Sequence, residues 1–262
     1  MQPPAFLDLP GRQDKPRSRG LTHVLDKGLG LSQTKDLLEH VAGYIDIVKV
    51  GWGIGYVDPG LSGRIAAYSA ADVLVCLGGT LLEVAELQGR VRDLRDWALE
   101  IGITAVEVSD GLCCLTRARK TELVRELSRD FTVAAEVGSK DSLTPVVARE
   151  WLADMEADCA AGATWVVAEG RESGTVGIYD DDGGVRGELV DTLLRVIPVD
   201  RIIFEAPHKA QQTWFVRHLG PEVNLGNIAP DEVLPLETLR LGLRADTAAV
   251  RVPTVASPLV PS

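Results

Sequence analysis

The sequence predicts a single-domain α/β fold, a TIM-type (β/α)8 barrel. Short runs of β-branched and apolar residues alternate with longer stretches of helical periodicity. About eight such units follow one another, enough to close a barrel. Neighbouring parallel strands also need crossover helices of the kind these stretches supply. No GxGxxG or GxxxxGK[ST] run opens the first helix, which counts against the alternative, an open doubly wound sheet.

In chain order, residues 1–18 are rich in Pro, Arg and Asp and predict an irregular lead-in. Strands are expected at 20–27, 44–51, 72–78, 104–109, 131–137, 164–169, 201–206 and 222–227. Ser32 is expected to cap the first helix, which runs to about Ala42. A long helix over 80–101 carries Leu81, Leu82, Ala85, Leu94, Trp97 and Ala98 at helical spacing. A helix over 116–129 is expected to start at Thr116, and one over 145–161 to start with Pro145 in its first turn. Helices over 187–196, 209–219 and 235–244 complete the set. The segment 177–187, GIYDDDGGVRG, reads as a hairpin-like turn, because it lacks the full spacing of a calcium loop. The barrel is expected to span 19–251, with residues 252–262 as a loose Pro-rich tail.

A net charge of -11 on 262 residues argues against a nucleic-acid or membrane-surface partner. No apolar run approaches the ~20 residues of a membrane span, and the first twenty residues lack a signal-peptide core. Cys76, Cys113, Cys114 and Cys159 match no zinc or disulfide framework, so reduced thiols and a cytoplasmic location are expected.

Barrel sites lie at the carboxyl ends of the strands. There the sequence places charges inside apolar runs: Lys49 in IVKVG, Glu107 in AVEVS, Glu136 in VAAEVG, Glu169 in VVAEG and Glu205 in IIFEA. A buried charge is costly unless it is paired or binds a metal, so the alternatives are a lattice of internal salt bridges or a functional cluster. Converging carboxylates suit a hard divalent cation, Mg2+, for which Asp110, Glu136, Glu169 and Glu205 are the candidate ligands. Lys27, Lys49, Arg171 and Lys209 offer positive charge to a phosphate or carboxylate. The last two loops add Gln211, Asn224 and Asn227 as donors. The substrates expected are small anions.

The motifs KPRSRGLTHVLDKGLG (15–30), YIDIVKVGWG (44–53), GGTLLEVA (78–85), AVEVSDG (105–111), AEVGSKD (135–141), EGRESG (169–174), IIFEAPHKAQQ (202–212) and NLGNIAPDEVLPLETLRLGLRADT (224–247) together resemble the phosphosulfolactate synthase family, over nearly the whole chain from Lys15 to Thr247. That resemblance implies a barrel that uses Mg2+ to add sulfite to phosphoenolpyruvate. Three departures stand out. Ser139 precedes Lys140 where the family pattern has two lysines. Leu112-Cys113-Cys114 replaces a Ser-Ser-Asp run, and Cys76-Leu77 replaces Tyr-Pro. Ser139 and Lys140 join the substrate-binding candidates.

For the chemistry, Lys49 is the first candidate to protonate C2, since its apolar strand should lower its pKa. Lys27 is second, with Glu136 beside them. A homo-oligomer is expected. Rival readings are a related enzyme using another nucleophile, a lyase with a Schiff base on Lys49, and a non-catalytic stress-associated homologue.

Overall fold

A computed structural model describes residues 6–138 and 146–248. Eight parallel strands close into a barrel in sequence order, β1 pairing with β8. They are β1 (Thr22–Asp26), β2 (Ile47–Val50), β3 (Leu74–Leu77), β4 (Ala105–Val108), β5 (Thr132–Val137), β6 (Trp165–Ala168), β7 (Ile202–Glu205) and β8 (Leu225–Ile228). Each lies within or one residue beyond its expected range, and the TIM-type barrel is as the sequence predicts. The helices are α1 (Leu31–Val41), α2 (Ile54–Val57), α3 (Leu61–Ala70), α4 (Gly79–Leu87), α5 (Val91–Glu100), α6 (Arg117–Leu127), α7 (Ala148–Ala161), α8 (Gly187–Leu194), α9 (Lys209–Leu219), α10 (Val233–Arg240) and α11 (Ala245–Ala248).

Several helix expectations need correction. The stretch 80–101 is two helices, because Gly89 takes a left-handed φ of 67° and ends α4 with backbone bonds from Gly89 to Glu86 and from Arg90 to Ala85. Helix α1 begins one residue before Ser32, and Gly30 occupies the cap position. Helices α2 and α3 lie where none was expected, and α7 starts at Ala148; Pro145 lies outside the described residues. Helix α6 starts at Arg117, one residue after the expected Thr116, which instead caps it by accepting from Arg119 N at 3.2 Å. The 177–187 turn closes with an antiparallel bridge between Tyr179 and Val185.

Strand alternation sorts the side chains into two cores. Inward-facing Leu21, Ile47, Cys76, Ala105, Ala134, Val167 and Ile203 fill the lower barrel. Outward-facing residues such as Val24, Val48, Val75, Val133, Val166 and Phe204 pack under the helices. Burying each contributes roughly 1.5–3 kcal/mol. Phe204 stacks on Phe215 of α9 with centroids 4.7 Å apart. Residues 6–18 hold no helix or strand. They cross the amino-end floor, where Arg12 pairs with Glu237 at 2.9 Å and Lys15 donates to the carbonyls of Ala42 and Ala71, both at 3.1 Å.

Candidate active site

The charged strand residues all face the barrel mouth, because each lies two residues above an inward-facing apolar residue of its own strand. Lys49 stands above Ile47, Glu107 above Ala105, Glu136 above Ala134, Glu169 above Val167 and Glu205 above Ile203. All five are nearly fully buried. They line a cavity of about 370 Å³ together with Leu25, Trp52, Leu112, Arg171, Ser173 and Asn227.

Lys49 is at the centre. Its ammonium donates to Glu107 Oε2 at 2.8 Å and to Glu205 Oε1 at 3.1 Å. The other oxygen of each carboxylate is fixed by a backbone amide of a neighbouring loop: Gly79 N donates to Glu107 Oε1 and Gly170 N to Glu205 Oε2, both at 3.0 Å. Glu169 Oε1 accepts from Arg171 N at 2.6 Å. Burial by itself pushes the Lys49 pKa down, as the apolar strand suggests. The charges of Glu107, Glu205 and Glu136 outweigh it, and the ammonium is held well above its ordinary value. The expectation of a lowered pKa is thereby corrected.

Glu107, Glu136 and Glu205 bring ligand oxygens within 4.8 Å of one another. Of the expected ligands, Glu136 and Glu205 fall in this triad with Glu107, and Glu169 and Asp110 do not. Asp110 turns one oxygen, Oδ1, to its own loop, where it accepts from Cys114 N and Leu115 N at 2.9 Å each. It lines an adjoining cavity of about 620 Å³ beside α6 and α7, which shares Glu136 with the mouth. Glu169 stays in the mouth but outside that triad.

The candidate anion binders separate sharply. Arg171 and Asn227 line the mouth. Asn224 does not: it lies at the amino end of β8, three residues below Asn227. There its side chain accepts from Leu21 N at 3.0 Å and donates to Ile202 O at 3.1 Å. Lys209 pairs with Asp246 at 2.7 Å, and Lys27 with Glu172 at 3.1 Å on the exposed rim. Gln211 is buried and ties His208 N to Gly174 O. None of these three lines the cavity. Ser139 and Lys140 lie outside the described residues.

Sequence reasoning passed over three contributors. Glu83 on α4 is buried and accepts from Ser109 Oγ, from Gly111 N at 3.0 Å and from Leu112 N at 2.6 Å, which shapes the β4 loop over the mouth. A glutamate at helical spacing carries no sign of this. His23 lies inside the barrel beside Lys49 and Glu107. Burial first, then the Lys49 charge, depresses its pKa to about 3, so it is neutral. The inward alternation Leu21, His23, Leu25 was the available signal. Trp52 lines the mouth with φ 49°, as Arg171 does at 54° and Asn227 at 54°. Such left-handed non-glycine residues cost about 1–3 kcal/mol each and gather at functional sites.

The fold and this cluster define the class: a single-domain (β/α)8 barrel with an acid-rich site, centred on one ammonium, at the carboxyl ends of its strands. Solved structures agree on the fold alone. A 3-hexulose-6-phosphate synthase is 17% identical with a TM-score of 0.55, over 84% of this chain and 99% of that one. Sequence comparison narrows the class. Residues 10–246 match the (2R)-phospho-3-sulfolactate synthase (ComA) family. The phosphosulfolactate synthase of Bacillus subtilis (strain 168) is 39% identical over 244 residues, 92% of this chain and 97% of the relative. That of Methanocaldococcus jannaschii is 40% identical over 235 residues, 87% and 94% respectively. The chain belongs to the phosphosulfolactate synthase family. Among the described residues no helix is long and apolar enough to cross a membrane.

Proposed function

We propose that this protein catalyses the Mg2+-dependent addition of sulfite to C3 of phosphoenolpyruvate, a carbon–sulfur bond-forming lyase reaction giving 2-phospho-3-sulfolactate. The observation that carries the reading is the Lys49 ammonium, held between Glu107 and Glu205 at the base of the mouth.

Four buried glutamates, Glu107, Glu136, Glu169 and Glu205, line the mouth with one buried lysine, so the site carries excess negative charge, and its donors are hard oxygens. That donor set fits Mg2+, with Glu107, Glu136 and Glu205 as the holders. Bound there, Mg2+ would supply positive charge to the substrate carboxylate as electrons move into it.

In the reaction the sulfur lone pair of sulfite forms the C3–S bond. The C2–C3 π pair moves onto C2 and spreads into the carboxylate, and one proton is then taken up at C2. Lys49 is assigned that proton transfer. Its raised pKa is no obstacle, because the C–H bond formed is a far weaker acid than any ammonium. The carboxylates of Glu107 and Glu205 keep the lysine charged and aimed, and they stabilise the proton's return from solvent afterwards. Arg171, at the rim of the same cavity, is assigned to the incoming anion.

The Schiff-base alternative needs a neutral amine, and a lysine paired with two carboxylates is the opposite. A different nucleophile stays testable, since Leu112 lines the mouth where the family pattern is polar. The experiment is a product assay with phosphoenolpyruvate, Mg2+ and a panel of nucleophiles, with and without chelator. Sulfite-dependent loss of the enol phosphate that stops in chelator and returns with Mg2+ supports the proposal. Turnover in excess chelator would remove the metal, and turnover only with another nucleophile would remove sulfite.

A further inference from the structure

The pairing of β1 with β8 is irregular. Thr22 is level with Leu225 and Val24 with Ile228, so two residues of β1 span three of β8. The extra residue makes a bulge at Gly226–Asn227. Leu225 and Ile228 both belong to the outer core under the helices. Gly226 faces inward: a Cβ placed there would meet His23 Nδ1 at 2.8 Å and Ile203 Cγ2 at 2.9 Å. Under plain alternation Asn227 would then face out with its helix-facing neighbours. The bulge, with Asn227 at φ 54°, turns it inward as well, and its side chain joins Lys49 and Arg171 in lining the mouth. Bulges re-aim side chains in this way beside active sites.

Among the described residues the re-aimed carboxamide has no hydrogen-bond partner. Asn227 is 7% exposed, yet its Oδ1 is buried without a hydrogen bond, and no side chain or backbone group of the described residues bonds its amide. Leaving a buried amide unsatisfied is costly, and a group of the ligand can recover that cost. Because the two ends of a carboxamide interchange by rotation, the same side chain can present its NH2 to an anion. The loops after strands 7 and 8 are where barrels commonly hold phosphate.

We propose that Asn227 is a substrate-positioning residue whose carboxamide donates to a phosphate oxygen of the enol phosphate ester. The inference rests on the proposed reading of the site as one for phosphoenolpyruvate.

Asn also tolerates left-handed backbone for purely local reasons, so the decisive variant is Asn227→Gly, which keeps that backbone and removes the amide. Calorimetry with the Mg2+-loaded full chain should show phosphoenolpyruvate binding weakened about 10- to 100-fold, the loss expected of one hydrogen bond to a charged group. Inorganic phosphate should displace phosphoenolpyruvate in the parent, and its own dissociation constant, taken from that displacement, should rise to a similar degree in Asn227→Gly. Asn227→Asp should bind more weakly still. Unchanged binding by Asn227→Gly would overturn the inference and leave the residue a backbone choice. Weakened phosphoenolpyruvate binding with an unchanged dissociation constant for inorganic phosphate would also overturn it, by moving the contact to the carboxylate. A parent that binds neither ligand would instead defeat the reading of the site as a whole.

Discussion

The Lys49 ammonium and the Glu107 carboxylate meet at 2.8 Å although their strands are not neighbours. Strand β3 lies between them, and it puts the short Cys76 side chain at the level that pairs with Lys49. The contact is therefore made across the barrel interior, above the apolar floor.

Lys49→Met should cost both rate and stability. Removing the ammonium leaves Glu107 and Glu205 buried without their cation, a loss of about 3–5 kcal/mol. Adding Glu107→Gln should recover part of the melting temperature and none of the activity. Because the folded pKa of Lys49 is raised, its stabilisation is complete below the ordinary value of 10.5 and is lost as pH climbs through the higher folded value. Denaturant unfolding of parent and variant between pH 8 and the alkaline limit should converge at the top of the range. A Lys49→Met melt equal to the parent's at pH 8 would refute the ion pair's structural weight.

His23 predicts acid sensitivity. Its pKa falls from 6.5 unfolded to about 3 folded, so its contribution is complete above 6.5 and is lost progressively as pH falls toward 3. His23→Gln should flatten the pH dependence of unfolding over that window. An identical acid limb in both proteins would place the sensitivity elsewhere.

Arg171 should affect binding more than folding. Its side chain is exposed at the rim and its backbone is left-handed, so Arg171→Gly isolates the guanidinium without backbone strain. Its melting temperature should stay within about 2 °C of the parent's, as for most exposed substitutions. KM for phosphoenolpyruvate should rise roughly 10-fold or more, and Arg171→Lys should recover only part of it. A normal KM would return Arg171 to the surface.

Gly226→Ala should destabilise the barrel by about 1–3 kcal/mol, because the added methyl meets His23 and Ile203 at 2.8 and 2.9 Å. In a double-mutant cycle the added methyl should cost less in a His23→Ala background than in the parent, the Ile203 contact remaining in both, and an equal cost in the two backgrounds would point away from the His23 clash.

The sequence by itself determined the barrel and the level of its site. Eight alternating units, each strand with a period of two, fix which residues face inward. A charge two residues above a small apolar side chain, as in Ala105–Glu107 or Ala134–Glu136, reads as a mouth residue before any coordinates exist. Tertiary structure alone decided which charges meet. Asp26 ends its strand like the others but is spent on Arg64 and Tyr68, while Glu107 reaches Lys49 across a closed barrel that no sequence spacing encodes. Asn224 and Asn227 share one short motif and lie at opposite ends of β8, because each strand residue advances about 3.3 Å. What brought Asn227 inward was a one-residue bulge. A local insertion against a partner strand reverses the facing of every residue after it, and alternation read from one strand contains no trace of its partner's register.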